Sequence, residues 1–213
     1  MKLYASVAAM SFLVALSGAM MPGPMMLVTV TASRKHGLRA GPLISTAHAV
    51  LELAMVLILF AGARHLLTHQ RFVGGLGILG AMVLVWMGIA AIAYARSATA
   101  EGALERPLPK FISNPVIAGV ATTAGNPQWW IWWPTVGFSY LAMASESGVA
   151  AVIPFYLGHI SGDYVVYTAI SAAVTGGRRF LKDVHFRFAI TACGVFLIAI
   201  AGVFAVMGIT RLL

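Results

Sequence analysis

The fold of this chain is decided by the stretch Gly18-Ala19-Met20-Met21-Pro22-Gly23-Pro24-Met25-Met26-Leu27. It lies about two-thirds of the way along an apolar run from Leu3 to Ala32. Each proline removes a backbone donor and its ring clashes with the preceding turn, so an unbroken helix cannot pass through Pro22-Gly23-Pro24. In lipid, the freed backbone groups are tolerated only where they face protein, water or a ligand. A membrane helix broken near mid-depth therefore indicates a transport site.

The composition is that of an integral membrane protein. Of 213 residues, 60% are hydrophobic and 9% are charged, whereas charged residues make up about a quarter of a soluble domain. A spanning helix needs about 20 residues. We expect an all-α protein of the cell (inner) membrane, with residues 1–213 forming a single multi-pass membrane domain. The six predicted transmembrane helices are the apolar stretches Leu3–Ala32, Pro42–Ala63, Phe72–Ala95, Ile112–Met143, Val149–Val174 and Phe186–Gly208.

The net charge of +8 is explained by the membrane and does not indicate nucleic acid. The cationic residues lie in short connections between the apolar stretches, and by the positive-inside rule the richer side is cytoplasmic. That assignment places both termini outside the cytoplasm. The first, third and fifth connections hold ten of the 14 lysines and arginines, namely Arg34, Lys35, Arg39, Arg96, Arg106, Lys110, Arg178, Arg179, Lys182 and Arg187.

The second half of the chain repeats features of the first. A second helix break is predicted at Gly125-Asn126-Pro127, inside the fourth apolar stretch. The second and fifth stretches each hold a histidine followed four residues later by an acid, His48 with Glu52 and His159 with Asp163. Residues four apart share one face of a helix. Each pair is therefore expected to present its two side chains together.

These recurrences predict two inverted repeats, residues 1–98 and 111–213, joined by a linker over 99–110. Each half has three spans, an odd number, so the second half enters the bilayer from the opposite side. Inverted repeats with matching broken helices are typical of alternating-access transporters, whose site lies near the midplane. The matching residues are Pro24 and Pro127, His48 and His159, and Gly88 and Gly208, with separations of 103, 111 and 120 residues.

With these motifs assembled, the chain resembles the lysine exporter family (LysE/RhtB type, threonine/homoserine exporter-like) of amino-acid efflux transporters. The resemblance implies a secondary transporter without a cofactor, and Met25 and Gln128 stand where the family often has other residues, so it indicates export and no particular amino acid. The marks are Pro22-Gly23-Pro24, Gly37-Leu38-Arg39-Ala40-Gly41, Gly80 with Trp86–Gly88, and Asn126-Pro127.

Glu52 and Asp163 are the strongest candidates for proton coupling. A charge at the bilayer centre costs at least about 2.5–3.5 kcal/mol, so such residues face a cavity or a partner. We expect them to carry protons and to receive a substrate ammonium group. The alternative is that each bonds its own histidine or the opposite repeat and locks the helices. His48 and His159 are expected either to relay protons, since imidazole titrates near neutrality, or to be structural.

The two breaks are the predicted substrate-binding elements, through Pro22, Gly23, Pro24, Gly125, Asn126 and Pro127. Free N–H groups at the start of a half-helix suit a carboxylate, and the Asn126 amide is expected to orient a zwitterion. The alternative is a plain kink, because proline is more frequent in membrane helices than in soluble ones.

Tryptophans follow the second break, at Trp129, Trp130, Trp132 and Trp133. They predict either an aromatic belt at the membrane interface or a gate and pocket wall in which Trp129 contacts the substrate ammonium. Arg39, in the basic turn, is a candidate gating residue. Gly74, Gly75, Gly77 and Gly80 suit close helix packing, either within the chain or between copies in a homo-oligomer.

Two other functions compete with amino-acid export. The His/acid pairs could serve as ligands for a divalent metal, which would make the protein a metal cation exporter. The same residues could belong to a membrane enzyme, but no nucleophile-plus-base motif such as Gly-x-Ser-x-Gly accompanies them. We therefore expect a transporter of amino acids and protons. We expect neither a resident metal nor an enzymatic activity.

Overall fold

The computed structural model describes residues 2–21, 23–62, 69–97, 99, 114–176 and 183–213. Pro22 and residues 100–110 of the predicted linker lie outside that set. Its regular secondary structure is helical throughout, which agrees with the predicted all-α class. The α-helices are α1 (Lys2–Ala19), α2 (Pro24–His36), α3 (Ala40–Gly62), α4 (Gln70–Ser97), α5 (Pro115–Ala124), α6 (Pro127–Trp132), α7 (Phe138–Glu146), α8 (Val152–Thr175) and α9 (Asp183–Leu212).

The chain leaves the helix at both proline motifs. α1 ends at Ala19, and α2 begins at Pro24 with Gly23 as its extended N-cap residue. α5 ends at Ala124, and α6 begins at Pro127 with Asn126 as its N-cap. Proline is well placed in a first turn, where its missing N–H has no intrahelical partner to lose. The interruption follows 18 residues of helix in the first half and 10 in the second, so the halves are unequal here.

A π-helical segment over Trp133–Gly137 joins α6 to α7. It holds Pro134, whose ring cannot fit a regular helical interior, and π segments of this kind accompany functional sites in many helices. A methyl group on Gly137 would lie 2.6 Å from the Trp133 ring. The tryptophan ring therefore lies directly against the backbone of this segment.

Four stretches of the described helices are long and apolar enough to cross a membrane: Pro24–Ala61, Gln70–Ser97, Val149–Thr175 and Ile190–Leu212. The proline motifs divide the remaining apolar segments into shorter helices, Leu3–Leu16 and Pro115–Ala124 among them. Within the first stretch, a 3₁₀ turn over Gly37–Arg39 separates α2 from α3. Gly37 has φ +62° there, a conformation that glycine adopts without strain.

α4 and α9 pack closely and run antiparallel. A methyl group on Gly88 would lie 2.6 Å from the Gly194 carbonyl oxygen, and one on Gly74 would lie 2.9 Å from that of Gly208. The residue number rises along one helix as it falls along the other. Small residues let two membrane helices approach to this distance.

The remaining helices surround the centre of the molecule. α1 packs on α8, α5 packs on α3, and α3 also contacts α8. One apolar cluster is built around Trp133, Leu84 and Phe155, and a second around Ile44 and Val28. The carboxyl groups of α3 and α8 are buried where these helices meet.

Candidate transport site

Two helices deliver the ionisable residues of the site. His48 and Glu52 lie one turn apart on α3, and His159 and Asp163 lie one turn apart on α8. The spacing of four places each pair on one helix face. Because α3 contacts α8, the two faces meet. Glu52 is 2% exposed and Asp163 is 5% exposed, so both carboxyl groups are withdrawn from the protein surface.

One oxygen of Glu52 contacts three other side chains of the cluster. Its Oε1 atom lies 3.1 Å from Nε2 of His48 and 3.3 Å from Nε2 of His159. The indole N–H of Trp133 donates to the same oxygen over 3.2 Å. Hydrogen bonds to a carboxylate are stronger than those between neutral groups. Glu52 therefore connects both histidines with the π-helical segment.

Asp163 is held far less tightly. Its Oδ2 atom lies 3.9 Å from Nε2 of His48, which is too long for a hydrogen bond. On the other side of the imidazole, His48 Nδ1 lies 2.8 Å from Oγ1 of Thr123. Thr123 is in the last turn of α5, directly before the second interruption. The orientation of the His48 ring is thus tied to that interruption.

A cavity of about 80 Å³ lies beside the cluster. A water molecule needs roughly 10–15 Å³ by this measure, so there is room for more than one. Both interruptions reach it. Its walls include Gly18 and Ala19 from the end of α1, Met25 from the start of α2, Asn126, Gln128 and Trp129 from the second interruption, and all four residues of the His/acid pairs.

Several polar atoms around the cavity lack a partner within the described residues. They are Glu52 Oε2, Asp163 Oδ2, His159 Nδ1 and Trp129 Nε1. Buried polar groups in proteins are normally hydrogen-bonded. Ordered water or a polar ligand in the cavity would supply the missing bonds.

The residues predicted at the breaks occupy different places. Asn126 borders the cavity, and its Oδ1 accepts a hydrogen bond from the Gln128 backbone N–H over 3.1 Å. Gly23 and Pro24 form the start of α2, next to the cavity residue Met25. Gly125 and Pro127 lie on either side of Asn126, at the end of α5 and at the start of α6. Pro22 lies outside the described residues.

The tryptophans after the second break face different ways. Trp129 and Trp132 border the cavity and are 9% and 8% exposed, and Trp133 is fully buried. Trp130 is 53% exposed, and its indole N–H donates to the Ala124 carbonyl over 2.7 Å. Arg39 is exposed at the end of the 3₁₀ turn and is not among the cavity residues.

Sequence reasoning missed Thr123, and it named Trp133 only as one of the tryptophans after the second break, not as a partner of Glu52. Thr123 is a hydroxyl residue in an otherwise apolar segment, which is a usable signal. Trp133 precedes Pro134, and a proline inside a helix often marks a local change of helix type. Neither signal predicts that Thr123 contacts His48 or that Trp133 contacts Glu52.

Three of the cluster residues could hold a metal ion. His48, Glu52 and Asp163 each offer one ligand atom, and these atoms lie within 4.8 Å of one another. Imidazole and carboxylate together suit several divalent metals. The described lining residues include neither lysine nor arginine.

Comparison with known proteins identifies the family. Searches of curated proteins and of solved structures gave no match. A family model described as LysE type translocator matches residues 16–208. The matched region contains both interruptions, all four residues of the His/acid pairs and the cavity residues Gly18 to Tyr167. The chain therefore belongs to the LysE type translocator family, as the resemblance of its motifs predicted, and is a multi-pass membrane transporter of the efflux type rather than an enzyme.

Proposed function

We propose that this translocator exports an amino acid or a similar small zwitterion across the inner membrane, by proton antiport with alternating access. One observation carries the proposal. Two buried carboxyl groups and two imidazoles border a cavity that both helix interruptions reach. Ionisable residues inside a membrane protein, next to broken helices, are the expected parts of a substrate and proton site.

Proton antiport follows from competition for the carboxylates. Glu52 Oε2 and Asp163 Oδ2 have no hydrogen-bond partner within the described residues, and both residues border the cavity. Each can accept either a proton or a hydrogen bond from a substrate ammonium group. A carboxylate that binds the ammonium releases its proton, and a carboxylate that takes up a proton releases the ammonium. His48 and His159 pass protons between the cavity and the carboxylates.

The substrate carboxylate is assigned to the helix interruptions. The N-cap residue of α2 is Gly23, which supplies no side-chain cap, and the neighbouring Met25 borders the cavity. The first N–H groups of a helix attract an anion when no side chain caps them. At α6 the Asn126 side-chain oxygen already caps the first turn. The Asn126 amide nitrogen remains available to the zwitterion.

The packing of the helices supports two inverted repeats with six spans. In that arrangement α1–α2 and α5–α7 each count as one broken span. The first helix of each repeat packs on the second span of the other repeat, since α1 packs on α8 and α5 packs on α3. A two-fold axis between the repeats requires such a reciprocal pair of contacts. Gly208 lies 120 residues after Gly88, and Gly194 lies 120 residues after Gly74. The same separation therefore relates the Gly88–Gly194 contact to the Gly208–Gly74 contact.

Arg39 is proposed to act where the cytoplasmic ends of α2, α3 and α8 meet. The Gly41 N–H donates to Oγ of Ser171 over 2.7 Å, and Ser33 Oγ lies 2.8 Å from the same atom. A methyl group on Gly41 would overlap the Tyr167 carbonyl. In this proposal, opening of the cavity to the cytoplasm separates α3 from α8 at this contact. Arg39, two residues away in the turn, would move with it.

The test is proton flux from proteoliposomes under a panel of amino acids and divalent metals. Wild type is compared with Glu52→Gln and with Glu146→Gln, a control at an exposed carboxylate outside the cavity. We expect at least one amino acid to drive flux in wild type and in the control, and Glu52→Gln to lose it. Equal flux in all three proteins would refute the coupling role of Glu52. Flux driven by divalent metals alone would refute amino-acid export and assign His48, Glu52 and Asp163 to metal binding.

A further inference from the structure

We infer that the exported zwitterion carries an uncharged, apolar side chain, such as that of an aliphatic or thioether amino acid. This inference rests on the proposed export of a zwitterion and names its substrate class. It follows from the charges that the cavity offers and from the chemistry of the remaining wall.

The cavity has acceptors for one ammonium group. Oε1 of Glu52 already contacts Nε2 of His48, Nε2 of His159 and the indole N–H of Trp133. The unpartnered acceptors are Glu52 Oε2 and Asp163 Oδ2. Ligand atoms of these two carboxylates lie within 4.8 Å of each other. One ammonium group placed between them can donate to both carboxyl groups.

Among the described residues of the lining, none is a permanent charge dedicated to a second charged group on the substrate. Glu52 and Asp163 are the acidic residues among the described residues of the lining, so a second ammonium would have to share these carboxylates with the first. Lysine and arginine are absent from the described lining, so a side-chain carboxylate would have no permanently charged cation. The unpartnered indole N–H of Trp129 is a single neutral donor, which suits the α-carboxylate. A charge buried without a partner weakens binding strongly.

The wall also has an apolar portion formed by Val14, Ala15, Met25, Met87 and Trp132, beside the polar residues Asn126, Gln128 and Tyr167. These five residues come from four different helices, α1, α2, α4 and α6. Methionine side chains adapt their shape to the group that they contact. This surface is complementary to a hydrocarbon or thioether side chain.

The test compares norleucine with ornithine, whose side chains contain the same number of non-hydrogen atoms and differ in a terminal methyl or ammonium group. Purified wild-type protein in proteoliposomes is assayed for efflux of each labelled compound, with serine and glutamate as further arms. We expect the ratio of maximal rate to half-saturating concentration to favour norleucine over ornithine by at least about tenfold, since leaving a charged group unpaired has at least that effect. Serine and glutamate are expected to be poorer substrates than norleucine.

A matched pair of variants tests the assignment of the wall. Met87→Glu and Met87→Gln have the same size and differ in charge, and we expect the ornithine-to-norleucine ratio to be higher in Met87→Glu. Equal ratios in the two variants would overturn the assignment. If either variant fails to fold, the wild-type comparison decides.

The outcomes separate the two proposals. Ornithine, serine or glutamate transported as well as norleucine would overturn the inference about the side chain and leave amino-acid export standing. Transport of none of the four, with wild-type protein correctly inserted, would refute amino-acid export and this inference with it.

Discussion

The contact between Thr123 and His48 offers the sharpest single test of the site. Thr123 Oγ1 lies 2.8 Å from His48 Nδ1, and Thr123 is 1% exposed. Thr123→Val keeps the shape of the side chain and removes the hydroxyl group. His48 Nδ1 then has no partner, and the ring is free to turn away from Glu52.

The size of the effect follows from the cost of an unpaired buried polar group, about 1–3 kcal/mol. Each 1.4 kcal/mol corresponds to a factor of ten in an equilibrium constant. If about half of that energy is lost from the arrangement that binds substrate, the half-saturating concentration rises by about two- to twelvefold. We expect a rise in that range, with a smaller change in the protein's thermal stability.

The adjacent Thr122 provides a matched control. It is also buried, but its hydroxyl group bonds the Ala118 carbonyl of its own helix over 2.7 Å. Thr122→Val therefore makes the same chemical change without touching the cluster. Both variants are assayed for substrate-driven proton flux and for thermal unfolding in detergent. Equal kinetic effects in Thr122→Val and Thr123→Val would refute the role assigned to the His48 contact.

Three further predictions concern other parts of the molecule. Gly41→Ala places a methyl group on the Tyr167 carbonyl, so we expect a lower melting temperature and loss of transport, whereas Gly75→Ala, with no atom within 4 Å of the added methyl, should leave both unchanged. Trp129→Phe removes the unpartnered indole N–H, and we expect the half-saturating substrate concentration to rise about five- to tenfold, with Trp130→Phe near wild type; the reverse order would contradict the assignment. A reporter fused to the C-terminus should be active on the outer side of the membrane, and cytoplasmic activity would contradict the predicted topology.

The local features of the fold were accessible from the sequence. The breaks beside Pro24 and Pro127 follow from the missing donor and the ring of proline, which act on the nearest turn whatever surrounds it. The unequal lengths of helix before the two breaks were not accessible. The start of α5 at Pro115 depends on the Asn114 side chain accepting a hydrogen bond from the Val116 N–H over 2.8 Å, a cap that the apolar pattern does not reveal.

The candidate site was also only partly accessible from the sequence. The helical repeat places His48 beside Glu52 and His159 beside Asp163. Ionisable residues are costly inside a membrane, so the sequence alone makes each pair a candidate for the functional site. The sequence offered two interpretations of the tryptophans, a belt and a pocket wall. In the structure Trp129 borders the cavity and Trp130 is exposed, because residues next to each other on a helix point in different directions.

The sequence by itself determined that the chain is a helical membrane protein with a proline-broken segment in each half and a His/acid pair in each half. These properties depend on composition and on spacings of a few residues. Only the tertiary structure decided that Glu52 Oε1 is shared by two imidazole nitrogens and the Trp133 N–H, while Glu52 Oε2 and Asp163 Oδ2 have no hydrogen-bond partner among the described residues. Trp133 is 81 residues from Glu52 along the chain, and Thr123 is 75 from His48. Such contacts depend on how whole helices pack, which is the sum of many weak interactions along the chain.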